Sequence, residues 1–245
     1  MCGRYASFRN AQALADEFNI TRVIDEARER PASWNIAPTL DIRVVLERMP
    51  RGQDTAITRQ LRLAHWGLVP HWARDKKLGV KLINARSETL DEKPSFRSSV
   101  KTQRCIIPAD GWYEWQTTVD GDKQPWYFQS PNNDVLAFAG LYSIWRDPTK
   151  SDDDPQRWLL SATIITEDAA DEHGHVHPRQ PVLLSPDLYD SWLDPRHTDS
   201  DEAMDLLRSS SIRVESYPVA STVNRVSNDG PELISRYNDS QSRGS

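Results

Sequence analysis

Cysteine is scarce in this 245-residue chain, which has only Cys2 and Cys105. Two thiols cannot build a disulfide framework, and their scarcity points to a reducing compartment. Long apolar runs are missing as well: no segment approaches the roughly 20 residues that would span a bilayer. The opening MCGRYASFRN has no basic segment followed by an apolar stretch, so it does not read as a secretory signal. The expected location is therefore cytoplasmic. Lysine is also rare, with seven residues against 23 arginines, and acids outnumber bases 36 to 30 for a net charge of −6. That sign argues against a broad nucleic-acid footprint. It leaves room for a local arginine cluster, because screening confines the relevant field to about 10 Å, and arginine suits bidentate phosphate contacts.

What is present is a globular composition, 38% hydrophobic and 27% charged, in a length that fits one domain with a real core. Ala11, Leu14, Ala15 and Phe18 recur on one face, so the spacing predicts a helix over about 11–19 with Asn10 as its cap. Segments 42–47, 57–66 and 104–109 are short and β-branched or alternating, as strands require. Further strands are expected at 111–117, 125–130, 135–145, 157–166 and 211–219. Residues 22–33 read as a polar connector, and 147–156 (DPTKSDDDPQ) as an exposed insertion. Ser185-Pro186-Asp187 marks a helix start, that helix ending near Asp194-Pro195, with another over 201–209. Many strands with few helices between them predict an α+β fold: a single domain, residues 1–236, around a largely antiparallel, barrel-like sheet with a few peripheral helices. A disordered tail is expected at 237–245.

Cys2 could be an incidental thiol near a terminus. If Met1 is removed, however, it carries a free α-amine and a thiol on adjacent carbons. Such a 1,2-aminothiol condenses with an aldehyde, first to a Schiff base and then to a thiazolidine ring, which no internal cysteine can do. Ordinary pKa values of about 7.7–8.0 for the amine and 8.5 for the thiol leave some free amine near neutrality. Glu114, in Gly111-Trp112-Tyr113-Glu114-Trp115, shares a strand face with Trp112 and Gln116, while Tyr113 and Trp115 face the other way. It is either a surface carboxylate or, beside an indole, an acid–base group of raised pKa. His173, His175 and His177 at spacing two could ligate zinc. Gly174, Pro178 and Pro181 disfavour the regular strand this would need, which leaves His177 as a structural or acid–base histidine. No metal and no organic cofactor is expected. Asn84 reads as the cap of a helix beginning at Ala85, whose N-terminus with Arg86 beside it would suit a phosphate. Trp34, Trp66 and Trp72 lie near prolines, where an indole is either core or a platform for a base. Cys105 reads as a buried strand residue.

Together these segments resemble the SOS-response-associated peptidase family, whose members act as abasic-site processing proteins. The resemblance rests on Met1-Cys2-Gly3-Arg4-Tyr5, Trp34-Asn35-Ile36-Ala37-Pro38, Trp66-Gly67-Leu68-Val69-Pro70 and Ile83-Asn84-Ala85-Arg86-Ser87-Glu88. It continues through Ala109-Asp110-Gly111-Trp112-Tyr113-Glu114-Trp115, Ala139-Gly140-Leu141, His177-Pro178-Arg179-Gln180-Pro181 and the stretch from Val223-Asn224 to Ile234. It thus spans nearly the whole chain, with one departure: Gln180 stands where the family often has Met. The resemblance implies removal of Met1 by the protein itself. Cys2 would then form a thiazolidine crosslink to an abasic site in single-stranded DNA, a lyase-type chemistry. It implies that Glu114 handles proton transfers, that Asn84 positions Cys2 and the sugar, and that His177 assists proton transfer and crosslink reversal. Arg4, Arg86 and Arg179 would hold phosphates, and Pro38, Trp66 and Trp72 would displace the complementary strand. The expected state is a monomer with no membrane partner, nucleoid-associated when engaged with DNA.

Two other readings use the same residues differently. An N-terminal-nucleophile cysteine amidohydrolase would employ Cys2 with its own amine as base. A noncovalent single-strand reader would leave Cys2 incidental.

Overall fold

The computed structural model describes residues 2–48, 56–170 and 172–237. In chain order the strands are β1 (Tyr5–Ser7), β2 (Arg22–Val23), β3 (Ser33–Ile36), β4 (Asp41–Arg48), β5 (Thr58–Trp66), β6 (Asn84–Arg86) and β7 (Arg104–Ala109). They continue with β8 (Gly111–Thr117), β9 (Lys123–Gln129), β10 (Leu136–Arg146), β11 (Trp158–Asp168), β12 (Arg179–Pro181) and β13 (Glu215–Pro218). The helices are α1 (Ala11–Glu17), α2 (Asp25–Glu29), α3 (Ser99–Thr102), α4 (Tyr189–Leu193) and α5 (Ser200–Ser209).

Strands β11, β10, β7, β4 and β5 pair antiparallel in that order, and a parallel contact of Ser161 with His65 and Ala162 with Trp66 joins β5 back to β11. The result is a closed five-stranded barrel in a single α+β domain, as the patterning predicts. Strand alternation explains the two cores it separates. Ile42, Val44, Leu46, Cys105, Ile107, Phe138 and Ile164 point into the barrel. Val45, Leu61, Ile106, Ala137, Ala139 and Ile165 point outward, beneath Leu14 and Phe18 of the α1 region, Trp192 of α4 and Met204 and Leu207 of α5. A second, antiparallel sheet runs β13–β9–β8–β1–β3. One of its faces, with Tyr5, Trp112 and Phe128, packs into the same cluster as the barrel interior. The other carries Tyr113, Tyr127 and Tyr217.

Local chemistry sets the ends of these elements. Asn10 Oδ1 accepts the Ala13 N–H at 2.9 Å and starts α1, as its side chain predicts. Asp199 does the same for α5 through the Asp201 N–H. Buried Arg104 donates to the carbonyls of Val100, Lys101, Trp192 and Asp194, so one guanidinium satisfies the ends of α3 and α4.

Several expectations need correction. Residues 22–33 are not a plain connector: β2 pairs in parallel with β5, and α2 follows. Ser185 makes no side-chain cap, and Pro186–Leu188 form a single 3₁₀ turn before α4. The strand expected over 211–219 is confined to Glu215–Pro218. No helix begins at Ala85. Asn84–Arg86 is a strand pairing in parallel with Ile164–Thr166, because the extended backbone finds ladder partners on β11. The helix-terminus anion site expected there does not exist. Of the expected tail, 238–245 lie outside the described residues, while the Tyr237 N–H donates to the Pro218 carbonyl at 2.8 Å. No helix among the described residues is long and apolar enough to cross a membrane.

Candidate active site

Cys2 is buried three residues before β1, and contacts along β1 together with Asn84 hold the segment. Tyr5 pairs with Ile36 of β3 on one side and with Trp112 of β8 on the other. Beyond β1, buried Asp110 accepts the Phe8 N–H at 2.7 Å and pairs with Arg9 at 2.9 Å, anchoring the strand's exit. Asn84 on β6 donates through Nδ2 to the Cys2 carbonyl oxygen at 2.9 Å. The N-terminal segment is therefore threaded between two strands and pinned by an asparagine from the barrel side.

Asn84 Oδ1 is buried with no hydrogen-bond partner among the described residues. A buried orphan acceptor costs roughly 1–3 kcal/mol, so the site holds an acceptor that a bound donor would satisfy. Glu114 projects from β8 on the face of Trp112, opposite Trp126 of β9. Burial pushes its carboxyl up to about 7. The Cys2 thiol lies well above its ordinary value, because burial and then the nearby Glu114 carboxylate both disfavour the thiolate.

His177 sits in the loop before β12, with Nδ1 3.9 Å from Glu114 Oε2. Its pKa is lowered, chiefly by burial. Nδ1 lies 3.0 Å from both the N–H and the carbonyl oxygen of Arg179. The neutral ring accepts from the N–H, placing its proton on Nε2, and a ring protonated at Nδ1 can donate to the carbonyl. Both protonation states are thus served. The other two histidines go elsewhere, His173 edge-on to Phe128 and His175 edge-on to Trp126. Among the described residues no group of three or more metal-ligating side chains converges.

Cys2, Asn84, Glu114 and His177, far apart in sequence, thus meet in one place. The residues predicted to hold DNA are distributed differently. Arg86 is exposed on β6, Pro38 is half-buried, and Trp72 is 50% exposed. Trp66 is fully buried, donates to the Ile83 carbonyl at 2.9 Å and packs edge-on against Tyr5. Arg4 donates to Asn35 Oδ1 at 2.7 Å and the Val223 carbonyl at 3.0 Å, with its guanidinium 5.7 Å from the Trp115 ring centroid. Arg179 is buried, forked onto Glu88 at 2.5 and 3.0 Å, and bonded to Asp168 at 2.6 Å. Three residues without a role in the sequence reading matter here. Glu88 holds Arg179. Asn35 ties the 223–228 segment to Arg4 through the carbonyls of Val223, Arg225 and Asn228. Asp110 anchors β1. All three lie in the quoted motifs, but their partners are 31 to 193 residues distant, so spacing could not assign them.

A family model described as SOS response associated peptidase (SRAP) matches residues 1–226. The chain is 37% identical over 235 residues to the abasic site processing protein YoqW of Bacillus subtilis, covering 96% of this chain and 99% of that protein. It is 33% identical over 267 residues to the abasic site processing protein HMCES of Gallus gallus, covering 96% of this chain and 77% of that one. A crystal structure of a protein from Bacteroides thetaiotaomicron shares the fold with a TM-score of 0.80 at 21% identity, covering 97% of this chain and all of that one. With a family match along nearly its whole length and such relatives, the chain belongs to the SOS response associated peptidase family.

Proposed function

We propose that the protein is an abasic-site processor that traps damaged single-stranded DNA covalently through Cys2. The observation that carries this reading is the meeting of Asn84, Glu114 and His177 around buried Cys2. Abasic-site processing is what YoqW and HMCES are named for. Loss of Met1, with this chain as its own peptidase, would expose the Cys2 amine. The amine attacks the aldehyde of a ring-opened abasic deoxyribose, and the carbinolamine loses water to give an imine. The Cys2 sulfur then adds to the imine carbon, and its proton passes to the nitrogen, closing the thiazolidine.

Each neighbour has a task in this sequence. Glu114, titrating near 7, can take a proton from the Cys2 ammonium, which frees the amine to attack, and return it to the departing hydroxyl. Asn84 holds the Cys2 carbonyl and offers Oδ1 to an amine or sugar hydroxyl. His177, neutral near pH 7, relays protons to and from Glu114 and assists crosslink reversal. Arg86, Trp72 and Pro38 border the strand. Arg4, Trp66 and Arg179 support the site from beneath, held by the protein's own carbonyls and carboxylates. The protein would act in the cytoplasm, wherever single-stranded DNA is exposed.

The test is denaturing electrophoresis of the protein with a single-stranded oligonucleotide carrying one abasic site. A heat-stable shifted band that requires both the abasic site and Cys2 is expected. Cys2→Ala should abolish the band and leave thermal unfolding intact; a Cys2→Ala band as strong as wild type would sink the mechanism. No band from a protein whose mass shows Met1 already gone would turn the reading to an amidohydrolase.

A further inference from the structure

Of the histidines between Glu172 and Arg179, His177 has a place in the mechanism, while His173 and His175 have none. His173 is buried, and neither of its ring nitrogens has a hydrogen-bond partner among the described residues. Its ring meets Phe128 of β9 edge-on, with centroids 5.3 Å apart. Phe128 in turn stacks at 4.8 Å on Trp112, which shares its β8 face with Glu114. His175 meets Trp126 edge-on at 5.4 Å, and its carbonyl accepts from Gln116 Nε2 at 3.3 Å. Val176, next along the chain, is buried as well. The backbone closes the segment on itself, because the His173 carbonyl accepts the N–H groups of Val176 at 2.9 Å and His177 at 3.4 Å. His177 therefore reaches Glu114 from a short loop whose start is held down by the ring of His173.

Histidine is a poor choice if that seat needs only bulk. A buried nitrogen without a partner is destabilising, and an apolar ring of similar shape carries no such penalty. What histidine adds is a proton. Burial lowers its pKa, so the seated ring is neutral. A protonated ring has a partner at the edge of the seat: Nε2 lies 3.3 Å from Glu172 Oε1, and that carboxylate is largely in solvent. Glu172 favours the charged ring and His175 opposes it, while from β9 the ring meets the uncharged Phe128.

We propose that His173 is a positioning residue for His177: its neutral ring seats the 172–177 loop on Phe128, and a proton on that ring unseats the loop and draws His177 away from Glu114. The inference rests on the reading of Glu114 and His177 as a proton-transfer pair. It gives acid a second way to slow crosslinking, through the loop rather than through the reacting groups. The seated ring resists a proton that the released ring accepts near 6.5, so the loop is held most firmly above that pH and let go as pH falls below it.

Hydrogen exchange at the amides of 174–177 in the full chain, corrected for the intrinsic effect of pH on exchange, reads the loop without reference to DNA. Below pH 6.5, protection in the wild type should fall by about tenfold per pH unit for each proton that release takes up. His177 also titrates, facing Glu114, Arg179 and Lys123, so the deciding quantity is a difference between proteins. His173→Phe keeps an aromatic ring in the seat. It should raise the melting midpoint and lower the slope of log protection against pH by about one, the share of one proton. His173→Leu serves the same comparison if the phenyl ring overfills the seat, and His173→Ala should lower protection at every pH. In single-turnover crosslinking of an abasic oligonucleotide, His173→Phe should carry the acid limb of the rate to lower pH, and His173→Ala should slow the reaction throughout. A wild-type slope of protection in both filled-seat variants overturns the positioning role, whatever the crosslinking does. Loss of that slope in variants of a protein that crosslinks no abasic strand overturns the covalent reading and leaves the His173 seat standing.

Discussion

Glu114 carries two opposed demands on one carboxyl group. Burial raises its pKa to about 7 from an ordinary 4.5, so the folded state holds the proton more tightly than the unfolded chain. Stability is then greatest below the unfolded value and falls as pH rises through about 4.5–7; above that window the buried charge costs on the order of 3 kcal/mol. Glu114→Gln should flatten this slope and raise the unfolding midpoint at pH 8. It should also slow crosslinking by about 10²–10⁴, the usual contribution of a positioned acid–base group. Thermal melts at pH 5 and 8 beside single-turnover rates would check both; a variant that crosslinks at the wild-type rate removes Glu114 from the mechanism. Arg179 is a second case. Its fork holds Glu88, Asp168 and the Thr166 carbonyl, and its own N–H meets His177 Nδ1. Arg179→Lys keeps the charge and loses the fork, so crosslinking should slow by about tenfold, as small misplacements do. The acid limb of the rate–pH profile should also move, a change that loss of a mere surface contact would not produce.

Among the elements, the short ones matter most to the site. β1 and β6 have three residues each, and β12 likewise, yet they position Cys2, Asn84 and the approach to His177. None of them is stable alone; each exists because a longer strand offers a ladder, β8 for β1 and β11 for the other two. The 76–81 turn depends on the Gly67–Gly79 crossing, and Gly67 itself has φ of +135°. Gly79→Ala should therefore push the turn away from Gly67 and destabilise the fold by about 1–3 kcal/mol, the usual range for overpacking. Denaturant melts would reveal it; a wild-type value would mean the crossing yields freely.

For the whole molecule, the barrel is the rigid frame on which these short pieces hang. Phe138 lies fully buried inside it, touching Tyr5 and Trp112 at ring distances of 6.0 and 5.9 Å. It thus links the barrel interior to the strands that carry Cys2 and Glu114. Phe138→Ala should cost about 3–5 kcal/mol and loosen the site with the core. Guanidinium unfolding would measure the first and crosslinking at 25 °C the second. A melt within 1 kcal/mol of wild type would show that the cavity collapses without loss. The acidic net charge, which at first argued against DNA, is a property of the total. The Trp72–Lys81 stretch, with Arg74, Lys76, Lys77 and Lys81 against Asp75 alone, shows that the sum does not describe the local field.

The long elements were legible in the sequence because each carries its own periodicity. The alternation of Ile42, Val44 and Leu46 against Val45 marks β4, and Asn10 ahead of Ala11 and Leu14 marks α1. The chemistry of Cys2, and the face that Glu114 shares with Trp112, were also local matters. Residues 84–86 misled because an asparagine before alanine caps a helix in isolation, whereas here Ile164–Thr166 offer ladder bonds to an extended chain. Trp66 and Trp72 sit in similar Pro/Gly-rich surroundings, and only packing made one core and left the other half in solvent. Likewise Arg179 pairs with Asp168, 11 residues away, rather than with the nearer Glu172 or Asp187, and its fork to Glu88 spans 91 positions. Amino-acid sequence by itself determined the strand and helix periodicities and the reactivity available to a second-position cysteine. Which side chains meet was decided by barrel closure and strand pairing, because those contacts join residues whose separation along the chain carries no information about their separation in space.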